Sequence, residues 1–576
     1  MIIYRKTVFL PLLVFNKRDK FMKTKVVVIF LAVAIFGSPF TGRAEAEDFI
    51  WGTEGQGTLI SSYANIPEAN QNVITIIKNE LKIEYVKIRI RLPLPLDGEF
   101  TPDLCGKRGV IYSGSDPACS QPGANPFNLD ETVKIFKENG WSMFPMFSHA
   151  GGPRQDVAID DAHIERYVDF VDWFVGRYKQ EGEIKYIELV NAPSFTWKAT
   201  AQQLLDLNNK TYDRIKSKFP DIQVGTPGFE YFNDSSKTNG RRQHENFRDY
   251  FLENDAKFDF WAFHGYPTRG EGGLKDLYPP TKIAKQNKYS GIYGIAELRK
   301  KLNARGWSDR GIIDTEHTGV LGMGILNAAD DQLNAAYMLQ ELILKRTLQV
   351  DGKSVLSGII TMKILPRCEG IKPGEAPGQG PPGGKQPRMG PAGGGRPRMG
   401  QPGGGAGMGP GARKRPGMGP PGQGQRPPGG PGQQGGGMLA AGPKSQVGGG
   451  ECAWGDLYED GSESLAVKSV GLLISKLAGY QYETQVGGKF DDENQLWVQK
   501  FKKGDNELYI CFKPFRYKEG QRFTLDVTKS SVTLEFKAQP SSVVLVDING
   551  NRNELKPAKS IKYNVGNTPE FIEVKY

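Results

Sequence analysis

The chain has 576 residues, 38% of them hydrophobic and 10% aromatic, which is enough for a buried core and more length than one domain usually holds. Its formal net charge of +10 is concentrated in two segments, with +6 in residues 1–46 and +9 in residues 371–450, which leaves −5 for the rest. The folded part is therefore mildly acidic, which argues against nucleic acid as a partner.

Residues 1–46 have the pattern of an export signal. A short basic segment that begins at Met22 precedes the apolar run Val26–Gly37, which is short for a bilayer span. The sequence Ala44–Ala46 is an A-x-A cleavage site, so we expect a secreted or periplasmic mature chain without a membrane span. Met22 is the favoured start, and the alternative is a longer, uncleaved anchor.

Between residues 47 and 370, short apolar segments alternate with segments of helical period, clearest in Ile164–Tyr178 and Ala201–Phe219. Eight strands that alternate with helices predict an α/β fold, a closed (β/α)8 or TIM barrel, whose chemistry lies at the C-terminal ends of the strands. The predicted strands are Phe49–Thr53, Glu84–Ile90, Ser142–Phe147, Lys185–Asn191, Ile222–Thr226, Phe258–His264, Gly311–Glu316 and Ser357–Met362.

Residues 371–450 differ in composition, with 30 Gly and 16 Pro and few aliphatic side chains. Such a segment cannot bury enough apolar surface to offset its ordering entropy, so we expect a disordered basic insertion. Residues 451–480 then supply the last barrel helix, predicted over Glu463–Leu477.

Residues 481–576 switch to the alternating pattern of strands and predict a C-terminal β-sandwich. The predicted strands are Leu496–Phe501, Glu507–Pro514, Phe523–Val527, Val532–Phe536, Val543–Asp547, Ser560–Asn564 and Glu570–Val574.

The five cysteines fit an oxidising compartment, and none of their spacings resembles a zinc site. Cys105 with Cys119, and Cys368 with Cys452, are the proposed disulfide pairs. Cys511 lies inside a strand-like run and is expected to be a buried free thiol.

Three of the five histidines, His149, His264 and His317, fall at or just past predicted strand ends. This clustering predicts a shared polar cleft. A metal site formed by the three histidines is the rival interpretation, but sugar-binding clefts use histidines equally well, and we expect no metal ion or other cofactor.

The strand ends resemble those of the clan A glycoside hydrolases, retaining (β/α)8 enzymes, and most nearly the family 39 type. The resemblance rests on Val190-Asn-Ala-Pro193 at strand four, His264-Gly-Tyr266 at strand six and Thr315-Glu316 at strand seven. It covers residues 48–365, the final helix and the sandwich, and it implies an oligo- or polysaccharide substrate. A monomer is expected.

The resemblance implies a role for each matching residue. Glu316 corresponds to the nucleophile, Asn191 to the asparagine that binds the sugar 2-hydroxyl, and Arg89 to the arginine that keeps the nucleophile ionised. His264 and Tyr266 correspond to the sixth-strand pair, and both are candidate substrate-binding residues. The alternatives are structural: a buried acid paired with Arg89 for Glu316, a structural amide for Asn191, and core packing for Tyr266.

Ala192 departs from the family pattern, which places the catalytic acid/base glutamate at this position. Alanine can neither protonate a leaving group nor activate water. Glu188, on the same strand, lies roughly 13 Å deeper in the barrel and cannot reach the position. Glu54 is a better-placed substitute acid, although a substrate-orienting or structural role fits it better.

Two further residues are candidate sugar contacts at the same end of the barrel. Trp197 is a candidate stacking platform for a sugar ring, with loop packing as the alternative. His149 is a candidate polar contact at the end of strand three.

Three functions fit these observations: a retaining glycosidase with a replaced or unneeded acid/base, a catalytically silent glycan-binding barrel, and a barrel that carries the basic insertion to an acidic polymer. The fold supports the first two, whereas only composition supports the third.

Overall fold

The computed structural model describes the main body of the chain with several gaps. The predicted signal, the 371–450 insertion, Cys119, Cys368, Cys452, His149 and Tyr266 lie outside them, as do the side chains of Glu54 and Cys105. The described residues are 49–54, 74–91, 99–107, 110–113, 125–148, 160–193, 197, 199–230, 247–265, 291–317, 331–361, 464–487, 496–515, 525 and 528–576.

Each of the eight predicted barrel strands is present. The largest difference is in the fifth, which ends at Glu230 rather than Thr226. The strands are β1 Ile50–Glu54, β2 Tyr85–Arg91, β3 Ser142–Ser148, β4 Tyr186–Asn191, β5 Gln223–Glu230, β6 Phe260–His264, β7 Gly311–His317 and β8 Gly358–Thr361.

The eight strands form a closed parallel ring. Each strand pairs with the next in chain order, and β1 closes the ring by pairing with both β2 and β8. In these closing ladders Gly52 is the partner of Tyr85, and Ile50 is the partner of Gly358. The predicted TIM barrel is confirmed.

Helices follow each strand along the chain. They are α1 Ile76–Leu81 (a π-helical turn), α2 Leu129–Asn139, α3 Asp161–Tyr178, α4 Ala201–Lys218, α5 Phe247–Glu253, α6 Gly291–Ala304, α7 Asp331–Thr347 and α8 Leu465–Leu477. Polar residues cap several of them, as in α3, where the Asp160 carboxylate accepts from the His163 N–H, and α4, where Thr200 and Gln203 form a capping box.

Helix α8 occupies the place of the eighth barrel helix, as the sequence predicts. It packs against α7 on one side and α1 on the other. Gly471 permits the second contact, because a side chain there would collide with the Glu80 carbonyl. Among the helices in the described ranges, none combines the length and hydropathy needed to cross a bilayer.

A small antiparallel excursion, which the sequence does not predict, lies between β2 and α2. Its strands are Asp103–Lys107, Val110–Ser113 and Asn125–Asn128, and it joins the barrel sheet where Ile90 pairs with Ile111.

The C-terminal region is antiparallel, as predicted. Its strands are β9 Gln481–Gly487, β10 Trp497–Lys503, β11 Asn506–Phe512, β12 Ser530–Glu535, β13 Ser542–Val546, β14 Arg552–Leu555, β15 Ser560–Val565 and β16 Glu570–Lys575. Six form one sheet in the order β9-β10-β11-β16-β13-β14, and β12 pairs with β15. Cys511 is a buried free thiol, as expected. Predicted strand Phe523–Val527 lies outside the described residues apart from Leu525.

The lower part of the barrel lumen is apolar. Side chains from six of the strands, together with the partly buried Tyr186, fill it, and the buried members are Ile50, Tyr85, Phe144, Phe260, Ala262, Ile313 and Ile360. Because side chains alternate along a strand, Lys87 and Arg89 follow Tyr85 on the same face of β2 and enter the lumen above this layer. The polar layer at the C-terminal end of the barrel therefore rests on a packed apolar floor.

Candidate active site

Glu316, near the end of β7, is the centre of the polar layer. Arg89 donates from Nη2 to Glu316 Oε1 over 3.4 Å, and His264 Nδ1 lies 2.8 Å from Glu316 Oε2. The same Arg89 nitrogen donates to Asn191 Oδ1 at 3.2 Å. Four residues that the sequence predicts separately, on β2, β4, β6 and β7, thus meet around one carboxylate.

The surroundings of Glu316 keep it ionised. Burial alone would raise the pKa of this carboxyl, but the charge and hydrogen bond of His264, then the charges of Arg89 and Lys87, hold that pKa well below its usual range. Its side chain is 7% exposed. An ionised carboxylate with a little exposed surface is what a nucleophile at this position requires.

His264 lies between two carboxylates. Burial would lower the pKa of the imidazole, but the charge of Glu316 and the hydrogen bond to Glu188 raise it to about 9. His264 is therefore a cation at neutral pH. The sequence predicts it as a sugar ligand, and this needs correction, because the ring is 1% exposed and both of its nitrogens face carboxylates.

Glu188 and Lys87 complete the network. The sequence places Glu188 inside the barrel but gives it no role there, and it does not predict Lys87. Lys87 Nζ lies 2.9 Å from Glu188 Oε2 and donates to the Thr315 carbonyl at 2.8 Å. Glu188 Oε1 lies 3.5 Å from His264 Nε2. Their signal is present in the sequence as charged residues inside apolar strands. Both are fully buried, so each charge needs a partner: Glu188 faces His264 and Lys87, and Lys87 faces Glu188.

Gly228, on β5, makes room for this arrangement. A side chain at residue 228 would collide with Glu188 Oε1 and His264 Nε2. The absence of a β-carbon there lets the strand backbone pass close to the two polar groups.

Irregular strand register aims the end residues into the lumen. Strict alternation of side chains along β7 would place Glu316 on the opposite face from Ile313. Both side chains point into the lumen, because the β7–β8 register shifts between Asp314 and His317. The register of β4 against β5 shifts likewise between Leu189 and Asn191. Bulges at functional strand ends re-aim side chains in this way, and sequence periodicity does not reveal them.

Three solved structures share this architecture at low sequence identity. A family 39 glycoside hydrolase from Bacteroides cellulosilyticus WH2 superposes with a TM-score of 0.55 at 12% identity, over 92% of this chain and 82% of that one. A glucosidase from Croceicoccus marinus gives 0.51 at 13%, over 92% and 96% of the two chains. A conserved exported protein from Bacteroides fragilis gives 0.52 at 9%, over 92% and 97%.

This chain shares the TIM-barrel fold of these three structures. No family model and no curated protein sequence matches it. The likeness therefore establishes the fold, and the residues of this chain must carry any statement about its chemistry.

Ala192 follows Asn191 at the end of β4 and has an unusual backbone conformation for its residue type. Its φ is 46°, in the left-handed region, and its N–H donates to the Gly228 carbonyl at 3.2 Å. A residue with a β-carbon is strained there, and such strain is found most often at functional sites. Its methyl side chain has no acidic proton to donate.

Two predicted members of the cleft lie elsewhere in the TIM-barrel fold. Trp197 is 1% exposed, and its indole N–H donates to the Thr200 carbonyl at 3.1 Å, so the ring packs in its loop and offers no face to a sugar. His317 is fully buried against Lys345 of α7, outside the lumen, so the predicted shared cleft of three histidines is wrong for this residue.

The raised pKa of His264 predicts a pH-dependent stability. A histidine whose pKa rises from 6.5 to about 9 on folding contributes about 3 kcal/mol below pH 6.5, and this contribution is lost as the pH rises through 9. We expect the free energy of unfolding of the wild type to approach that of His264→Gln across this interval, as measured by chemical denaturation. Parallel curves for the two proteins would show that His264 is not held as a cation.

Proposed function

We propose that this protein is a secreted, monomeric glycoside-hydrolase-like protein that acts on an oligo- or polysaccharide through Glu316. The observation that carries the proposal is the ionised Glu316 carboxylate, held by Arg89 and His264 at the C-terminal end of a TIM barrel. Active sites of TIM-barrel enzymes lie at this end. In the proposed reaction Glu316 attacks the anomeric carbon and forms a covalent glycosyl ester.

Arg89 and Asn191 would orient the reacting groups. Arg89 bonds both the Glu316 carboxylate and the Asn191 amide oxygen, so it fixes the distance between nucleophile and amide. With its oxygen facing Arg89, the Asn191 amide group is oriented to present its nitrogen to a sugar hydroxyl. Trp197 and His264 have no direct part in binding the sugar in this account.

The reaction lacks its usual second carboxyl group. A retaining glycosidase places two carboxyl groups about 5–5.5 Å apart, one as nucleophile and the other as acid and then base. Ala192 stands at the position of the second. The proposed substrates are therefore glycosides whose leaving group departs without a proton, unless Glu54 supplies one.

A pre-steady-state measurement tests the proposal. With a dinitrophenyl glycoside, the protein should release about one equivalent of dinitrophenolate rapidly and then stall, because the ester at Glu316 forms without an acid but hydrolyses slowly without a base. Glu316→Gln, of nearly the same size and shape, should show no burst. A burst of equal size in Glu316→Gln would place the nucleophile elsewhere.

Ala192 also supports a second candidate, a glycan-binding protein that has lost catalysis. Binding of the mature protein to a glycan array, together with the burst measurement, distinguishes the two. The binding protein should keep its affinity in Glu316→Gln and give no burst with any activated glycoside, whereas absence of all glycan binding in the wild type would contradict it.

A further inference from the structure

A second buried ionic cluster lies on the outer side of β7, beneath α7. Lys345, on α7, donates from Nζ to the Gly265 carbonyl at 2.6 Å, to Asp314 Oδ2 at 2.8 Å and to His317 Nδ1 at 2.8 Å. Its Nζ also lies 3.1 Å from Glu341 Oε1. The Lys345 side chain is fully buried, so four acceptors surround one ammonium group away from solvent.

The protonation of the cluster follows from its burial and charges. Burial lowers the pKa of Lys345, but Asp314 and Glu341 raise it above its ordinary value, so the ammonium is charged. Burial, and then the Lys345 charge, hold the pKa of His317 well below its usual range, so the imidazole is neutral and accepts at Nδ1. Burial raises the pKa of Glu341 to about 7 despite Lys345.

The cluster binds both backbone polar groups of Gly265. The Gly265 N–H donates to Asp314 Oδ1 at 2.8 Å, and its carbonyl accepts from Lys345. A side chain at residue 265 would collide with the Asp314 carboxylate, so glycine is required for this close approach. Gly265 directly follows His264 in the chain.

The contacts of Gly265 with Asp314 and Lys345 lie just beyond the last backbone pair between β6 and β7. Backbone pairing between β6 and β7 reaches Phe263 with Asp314 and goes no further in the register that the structure describes. His264 and Glu316 both lie beyond that last pair. Asp314 and His317 flank Glu316, so the cluster ties the segment that carries Glu316 to the segment that carries His264.

We propose that Lys345 is a positioning residue that holds His264 against Glu316 by anchoring Gly265 to Asp314. Its catalytic consequence rests on the proposed function, but its structural consequence does not. Without this anchor, the His264 Nδ1 to Glu316 Oε2 contact should lengthen, and each partner should lose part of the other's charge. The pKa of His264 should then fall and that of Glu316 should rise.

Within the described residues, charged groups from several elements face His264, Glu316 and Lys345. Glu316 faces Arg89 and Lys87 from β2 and His264 from β6, and His264 also faces Glu188 from β4. On the other side, Lys345 faces Asp314 and His317 from β7 and Glu341 from its own helix, beside Tyr337. Lys345 is not among the main charges acting on Glu316, so an effect of its removal must pass through geometry.

The test measures the His264 titration by NMR in protein with labelled histidine rings. Lys345→Met is made together with Glu341→Gln, which limits the uncompensated buried charge, and is compared with Glu341→Gln alone. We expect a His264 pKa near 9 in the wild type and in the single variant, and a fall of about 1 unit or more in the double variant. An unchanged His264 titration in a folded double variant overturns the proposal.

A second variant covers failure of the double variant to fold. Gly265→Ala places a methyl group against the Asp314 carboxylate while the charges of the cluster stay intact, and it should lower the His264 pKa in the same direction. Lys500→Met is the matched control, because Lys500 lies between Glu483 and Glu507 at 2.8 and 2.9 Å in the C-terminal sheet. It should leave the His264 pKa unchanged, and a shift equal to that of Gly265→Ala contradicts the proposal.

The catalytic consequence has its own measurement. The dinitrophenolate burst needs ionised Glu316, so the burst rate should fall as the pH drops through the Glu316 pKa. In the double variant this fall, the acid limb of the pH profile, should move to higher pH. Absence of any burst in the wild type would defeat the proposed function and leave the NMR result standing as the test of Lys345. A normal burst with an unmoved acid limb would defeat the role of Lys345 alone.

Discussion

Ala192→Glu should increase hydrolysis of an unactivated oligosaccharide by about 10²–10⁴-fold, the usual contribution of a positioned general acid and base. The substitution adds the missing proton donor next to Asn191, whose side chain reaches Arg89 and through it Glu316. Ala192 already has a β-carbon at a φ of 46°, so a longer side chain adds little backbone strain. Steady-state kcat/KM on a panel of oligosaccharides measures the gain.

Ala192→Gln is the matched control for this gain. Glutamine has nearly the same size and shape as glutamate but has no acidic proton to transfer, so its rate should stay at the wild-type level. Equal activity of the two variants would mean that the side chain acts by filling space. Brisk hydrolysis by the wild type, unaffected by the glutamate, would mean that another residue already serves as the acid and base.

Azide should speed the turnover of a dinitrophenyl glycoside by the wild type by about 10²-fold, the lower end of what a general base contributes. Water must lose a proton to attack the glycosyl ester at Glu316, whereas azide is already an anion and needs no base. Azide is also small enough to fit beside an alanine side chain. The product should be the glycosyl azide with the anomeric configuration of the substrate, because two displacements retain it.

The azide effect should disappear in Ala192→Glu. The new carboxylate would fill the gap, repel the anion and activate water instead. If azide changes neither the rate nor the product of the wild type while natural substrates turn over readily, Ala192 does not mark an empty acid/base position. Product analysis by NMR and steady-state rates distinguish these outcomes.

The barrel and the centre of its candidate site could be predicted from the sequence. Eight apolar segments that alternate with segments of helical period predict the strands, because a parallel strand buried on both faces needs a continuous apolar run. The strand-end motifs brought Arg89, Asn191, His264 and Glu316 to one place, since the ends of parallel strands meet at one edge.

Contacts between residues distant in sequence could not be predicted from the same patterns. The face to which His317 points depends on a local register shift in β7, and alternation gives no sign of it. Lys345 reads as an ordinary basic residue in the last turn of a helix until the fold places it under Gly265. Trp197 was ambiguous because burial of a loop residue depends on its neighbours in space.

The two edge strands of the C-terminal sheet could not be predicted from the sequence either. β9 and β14 lie at the two edges of the C-terminal sheet, and most of their residues are exposed or only partly buried. Without a buried face a strand has no apolar alternation, so sequence periodicity cannot reveal it.

The mass of the protein after mixing with a dinitrophenyl glycoside shows directly whether Glu316 is the nucleophile. We expect a wild-type species heavier by one glycosyl unit, with the added mass in the peptide that contains Glu316, and no such species in Glu316→Gln. Release of dinitrophenolate from the wild type without any covalent adduct, or an adduct on another carboxylate, would contradict a nucleophilic role for Glu316.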